Sequence, residues 1–150
     1  MLSTEWRVYV SAGRFTERQP GIGELAVHTR ELLGLIAADE AWARYLASYE
    51  LISALGIESA LERIAVRDAA EFMASVATVD IVWPSHHLMD PDGARRAARR
   101  VVALLGNSAA WWTNHDVECG AVNGLTPVFD SLVAGANDEY YVLVIQVADD

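Results

Sequence analysis

Histidine and carboxylate side chains are concentrated in one short segment of the sequence. His115, Asp116 and Glu118 fall within four residues, and an earlier pair, 86–87 (His-His), could meet them at one edge of a sheet. Imidazole and carboxylate groups together can hold a divalent metal, and a histidine beside a carboxylate can shuttle protons. Their spacing matches no established ligand motif, so the sequence favours ordinary polar loop residues over a metal or catalytic site.

Two further patterns suggest chemistry but lack the setting that it requires. Cys119 and His115 could form a nucleophile and base, but the acidic neighbours of the cysteine disfavour a thiolate. Gly21, Gly23 and Ala26 have the spacing of a dinucleotide-binding fingerprint, yet residues 16–20 separate them from the preceding strand. We therefore predict no catalytic residue, no metal and no cofactor.

The adjacent tryptophans at 111 and 112 favour a binding role. Consecutive side chains of a strand point to opposite faces, so one indole is expected in the core and the other can be exposed. An exposed tryptophan beside polar and acidic residues suits the centre of a protein-binding patch, because tryptophan anchors are common in hot spots. The predicted patch consists of Trp111, Trp112, Asn114, His115, Asp116 and Glu118.

The hydrophobic periodicity predicts how these residues are positioned. We expect a single α+β domain over residues 1–150, with one mixed sheet of about four to six strands packed against four to five helices. Its first half should be mostly helical after an N-terminal strand. Residues 126–133 fit either a helix or a strand. The predicted strands are 5–15, 78–83, 109–113, 117–122 and 140–148, and the predicted helices are 24–37, 39–55, 68–76 and 91–105.

Capping signals define the helix limits. Asp39 is expected to cap a helix that ends at Gly56, and Asp68 with Glu71 resembles a capping box. Asp90 precedes a proline that suits the first helical position. The near-continuous apolar run of residues 140–148 predicts a central strand that is covered on both faces.

The net charge is −10, from 21 acidic and 11 basic residues. This field repels phosphate backbones and anionic membranes and steers a basic partner inward. No apolar stretch approaches the roughly 20 residues that span a bilayer, no secretory signal precedes the first strand, and the single cysteine suits a reducing compartment. We expect a cytoplasmic protein with a basic protein partner, and neither nucleic acid nor a membrane as ligand.

Residues 5–46 carry a resemblance to a known group of proteins. A strand ends in Gly13 and Arg14, a helix follows, and Asp39 precedes Trp42. With the acidic α+β character, this arrangement resembles the immunity proteins of bacterial polymorphic-toxin systems, which neutralise a cognate toxin. The resemblance implies an inhibitor that binds a partner, such as a toxin domain, one to one and without a cofactor.

Two alternatives to a binding protein stay open on the sequence alone. The first is a small metal-dependent or histidine-based enzyme that uses His86, His87, His115, Asp116 and Glu118. The second is a protein with a small-molecule pocket between its sheet and its helices.

Overall fold

An antiparallel sheet organises the computed structural model, which describes residues 1–4, 7–17, 20–116 and 122–149. Its strands are β1 (Leu2–Thr4), β2 (Val8–Arg14), β3 (Glu62–Ile64), β4 (Ala110–Thr113), β5 (Phe129–Ala136) and β6 (Tyr140–Ala148). Their order across the sheet is β1-β2-β6-β5-β4-β3, and every pairing is antiparallel. The predicted α+β class is confirmed, but the expectation of a mixed sheet is wrong in that detail.

Helices cover both faces of this sheet. They are α1 (Ile22–Ala38), α2 (Glu40–Leu46), α3 (Ala54–Ala60), α4 (Val66–Thr78) and α5 (Pro91–Leu105). One apolar cluster joins the first three helices to the sheet, and a second cluster joins α4 and α5 to its other face. Because β3 lies between α3 and α4 in the chain, the backbone passes from one helical layer to the other at the β3 edge.

The side chains of β6 explain why the centre of the sheet is buried on both sides. In β6, Leu143 and Ile145 belong to the cluster under α1–α3, whereas Val142 and Val144 belong to the cluster under α4 and α5. Alternation with a period of two residues places successive side chains on opposite faces. The predicted central position of this strand is confirmed, since β6 pairs with both β2 and β5.

The two indoles of β4 point to opposite faces, as predicted. Trp111 is fully buried in the cluster under α4 and α5, while Trp112 is half-buried and packs against the other cluster. Gly135 lies directly opposite Trp111 on β5. A Cβ atom at position 135 would lie within 2.6 Å of three Trp111 ring atoms. The strand pair therefore needs a glycine at this position.

The helix predictions are partly right. Residues 24–37 and 91–105 are helical, and the Asp90 carboxylate accepts a hydrogen bond from the Gly93 N–H at the start of α5. Asp39 caps α2 as predicted, but that helix stops at residue 46. A separate helix starts where Ser53 Oγ accepts a hydrogen bond from the Gly56 N–H, so Gly56 lies inside α3. These local bonds make two short helices more favourable than one long helix.

Three other predictions are corrected or resolved. The capping box at Asp68 is not formed, because α4 already begins at Val66 and Asp68 lies in its first turn. The predicted strand 78–83 is wrong, since α4 continues to Thr78 and an irregular loop follows. The ambiguous segment 126–133 enters strand β5. Residues 117–121 of another predicted strand lie outside the described residues, and Val122 forms a bridge with His115.

Candidate functional site

An apolar cavity of about 560 Å³ opens at the end of the sheet where β5 begins and β4 ends. This volume lies in the range of ligand-binding clefts. Phe129 and Val122 line the cavity while remaining 52% and 48% exposed. The apolar walls are Phe72, Val76, Val79, Ile81, Val122, Val128 and Phe129, and the remaining lining residues are Ser75, His115, Gly124, Asp130 and Ser131. The cavity therefore has an apolar interior and an exposed aromatic side chain.

A second cavity of about 490 Å³ adjoins the first and has acidic walls. Glu62, Asp68 and Asp116 line it, together with Arg63 from the same strand as Glu62. The Arg63 guanidinium lies over the Trp112 ring, 5.3 Å from the ring centroid. Residues at the boundary show that the two cavities are neighbours. Phe72 on α4 lines both cavities, His115 lines the first, and Asp116 lines the second.

A buried carboxylate fixes one wall of the apolar cavity. Asp130 accepts hydrogen bonds from the backbone N–H groups of Leu125 and Thr126 at 2.9 to 3.0 Å, and from the Thr126 hydroxyl at 2.8 Å. Burial raises the pKa of Asp130, and these donors oppose that effect. The carboxylate thus holds the loop before β5 in place, so Val128 and Phe129 are presented to the cavity in a fixed position.

Asn114 extends this network across the sheet end. Its Nδ2 atom donates to Asp130 Oδ1 at 2.8 Å and to the Asn123 carbonyl at 3.0 Å. Its Oδ1 atom accepts from the Leu132 N–H at 2.8 Å. Because the side chain is fully buried and each of its polar atoms is bonded, Asn114 joins β4, β5 and the loop between them. Its role is structural.

The opposite wall is held by a second buried amide, Gln146 on β6. Its Nε2 atom donates to the carbonyls of Val76 and Val79 at 2.8 and 2.7 Å, and its Oε1 atom accepts from the Ile81 N–H at 2.8 Å. These bonds satisfy backbone groups at and beyond the C-terminal end of α4. The apolar side chains at 76, 79 and 81 consequently line the cavity from a backbone that is bonded to the sheet.

Asp80 orders the loop that follows α4. Its Oδ1 atom accepts from the N–H groups of Val82 and Trp83 at 2.9 and 3.0 Å, and its Oδ2 atom accepts from Arg7 Nη1 at 2.9 Å. Burial alone would raise the pKa of Asp80, but these donors and the guanidinium lower it. The polar contacts explain why a β-branched segment forms a loop here instead of a strand.

The predicted binding patch is only partly at the surface, which corrects the sequence-based assignment. Trp111 and Asn114 are fully buried, so neither offers a surface to a partner in this conformation. Trp112 is half-buried beneath Arg63, on the face of β4 opposite Trp111. His115 and Asp116 are half-buried and line the two cavities. The remaining patch residue, Glu118, and also Cys119, lie outside the described residues.

The histidines of the enzymatic alternative come from two parts of the chain, since His86 and His87 follow α4 and His115 follows β4. His86 and His87 are exposed in the loop after α4. The His86 carbonyl accepts a hydrogen bond from the Asp80 N–H, and His87 pairs with Val79 through the backbone. Among all the residues that the structure describes, no three histidine, cysteine or acidic side chains are grouped so that they could hold a metal ion.

Sequence reasoning missed the exposed aromatic residues. Phe129 lies in the segment that was ambiguous between helix and strand. Trp83, which is 63% exposed in the loop after α4, was assigned to the predicted strand 78–83. The available signal was Pro84 beside Trp83 and Pro127 close to Phe129, because proline within a sheet is confined to edge strands, strand starts and bulges.

Comparisons with known proteins give no further identification. No protein family, curated protein or solved structure matches the chain. In the described ranges, none of the helices has both the length and the apolarity that crossing a membrane requires.

Proposed function

We propose that this domain is a non-catalytic binding protein of the inhibitor or immunity type, which sequesters a basic protein partner. Its docking surface is the apolar cavity at the start of β5 together with the acidic cavity beside it. The observation that supports this proposal is Phe129, a large aromatic side chain left half exposed at the edge of a concave apolar surface. Exposed apolar patches rimmed by polar groups are typical of interaction sites.

The charge of the protein supports a cationic partner. Glu62, Asp68 and Asp116 line the cavity beside the apolar one, and the whole chain carries a net charge of −10. Complementary fields accelerate encounter and disfavour partners of the same sign. The proposal places the protein in the bacterial cytoplasm, which suits a chain with a single cysteine.

Affinity capture with matched variants tests the proposal. The purified protein is immobilised and exposed to a lysate of the organism that encodes it, and each retained protein is purified and titrated by calorimetry. We compare wild type with Phe129→Ala and with Leu104→Ala, which removes an 82% exposed side chain from α5. Truncation of a central anchor typically costs about 2 kcal/mol or more, which corresponds to at least roughly thirtyfold in Kd.

We expect a basic partner that binds one to one, loses at least about thirtyfold in affinity with Phe129→Ala and changes less than about twofold with Leu104→Ala. The affinity should also fall as salt concentration rises. A partner that binds Phe129→Ala as tightly as wild type contradicts the proposed surface. The absence of any stoichiometric partner contradicts the proposed function.

A further inference from the structure

We infer that the apolar cavity is an anchor subsite for one bulky apolar side chain of the partner, and that an arginine or lysine next to that side chain faces the adjoining carboxylates. This inference rests on the proposed function and specifies the chemistry of the partner segment. The proposed occupant of the cavity is an amphipathic, cationic peptide segment of another protein.

The cavity is suited to an anchor because hydrogen bonds hold two of its walls in place before a partner arrives. Phe72 and Val76 come from α4, and the loop that follows is bonded to Gln146 on the sheet. On the other side, Asp130 holds the loop that carries Val128. A preformed cavity reduces the ordering cost of binding, so burial of a partner side chain contributes more of its free energy to affinity.

The position of the charges indicates what accompanies the anchor. Phe72 lines both cavities. A peptide segment that inserts a side chain into the apolar cavity therefore lies directly beside the acidic cavity. Asp68 is exposed on the first turn of α4, and Asp116 follows His115 at the boundary between the cavities. Charge complementarity at such a boundary favours a cationic neighbour of the anchor and fixes the register of the segment.

Selection from a phage-displayed library of random peptides tests this inference without the natural partner. We expect wild-type protein to enrich peptides in which a bulky apolar residue lies within four positions of arginine or lysine. The selected peptides are then synthesised, and their Kd values are measured by fluorescence anisotropy for wild type and variants. Each variant is first checked for a native circular dichroism spectrum.

Three variants test the apolar cavity and the acidic cavity separately. Ser75→Phe places a ring into the cavity from an exposed position of α4 and should weaken every selected peptide at least about tenfold, since it occupies the anchor subsite. Asp68→Asn combined with Asp116→Asn removes two of the three carboxylates that line the acidic cavity and should reduce the advantage of the peptide arginine over alanine at that position. Asp138→Asn is the matched control, because it removes an exposed carboxylate in the hairpin at the other end of β5.

The outcomes distinguish this inference from the proposed function. Failure to enrich such peptides, or an arginine effect that is undiminished in the Asp68/Asp116 double variant, overturns the inference. If a protein partner that depends on Phe129 is nevertheless captured, the proposed function stands and only the peptide chemistry is wrong. If the selected peptides respond to Ser75→Phe and to the charge variants as expected, the inference is supported.

Discussion

Replacement of Gly135 by alanine tests the packing on which β4 depends. The added Cβ would lie within 2.6 Å of three ring atoms of Trp111, whereas apolar carbons pack at about 3.5–4.0 Å. The ring or the strand must therefore move by roughly 1 Å, and Trp111 is fully buried within the apolar cluster under α4 and α5, where interiors are closely packed. Overpacking of this kind costs about 1–3 kcal/mol, offset by about 0.4–1 kcal/mol from the lower entropy of the unfolded chain.

We therefore expect Gly135→Ala to lower the free energy of unfolding by about 1–2 kcal/mol and the Tm by roughly 2–8 °C. Urea unfolding followed by circular dichroism measures the first quantity, and calorimetry measures the second. Gly34→Ala in α1 is the control, since its Cβ would lie 3.6 Å from Leu51 Cδ1 in an ordinary contact and should stabilise the protein by up to about 1 kcal/mol.

A double-mutant cycle identifies the contact responsible. With Trp111→Leu in the background, the additional cost of Gly135→Ala should largely vanish, because the ring that it meets is gone. If Gly135→Ala changes stability by less than about 0.5 kcal/mol, or costs the same with and without the indole, the proposed packing reason for this glycine is wrong.

Two further perturbations address the loops that form the cavity walls. Asp80→Asn removes a carboxylate whose pKa is lowered in the folded state; the wild-type advantage over this variant should be full at neutral pH and disappear as the pH falls below about 4. Urea titrations from pH 7 to pH 3 measure the difference in unfolding free energy between wild type and Asp80→Asn. The contribution of Asp130 is common to both proteins and cancels. A difference that does not depend on pH would contradict the lowered pKa of Asp80. Asn114→Ala leaves the Leu132 N–H without its acceptor and Asp130 without one donor, so it should cost about 2–4 kcal/mol. Equilibrium unfolding measures that loss, and a cost below about 1 kcal/mol would show that the network does not hold the loop.

Elements with strong local signals could be predicted from the sequence. The alternation of β2, the cap and proline of α5 and the apolar run of β6 each depend on residues close together in the chain. The loop after α4 could not be predicted, because Arg7 bonds to Asp80 and Gln146 bonds to the Ile81 N–H, and both partners are distant in sequence. The burial of Trp111 likewise depends on a glycine in a neighbouring strand.

The candidate site was the least predictable feature for the same reason. Its residues come from α4, the loop after it, the end of β4 and the start of β5. Among the patch residues that the structure describes, His115 and Asp116 line the two cavities. The apolar cavity exists because Asp130 and Gln146 hold two loops against one end of the sheet.

The central position of β6 has a consequence for synthesis of the chain on the ribosome. β2 is made early, but its neighbour towards the sheet centre is the last strand of the described chain, and all five helices are translated between them. Until β6 leaves the exit tunnel, β2 has only the three-residue β1 beside it, and β5 has no partner on that side. The two helical layers can gather locally during elongation, whereas the sheet closes only once the segment 140–148 has emerged.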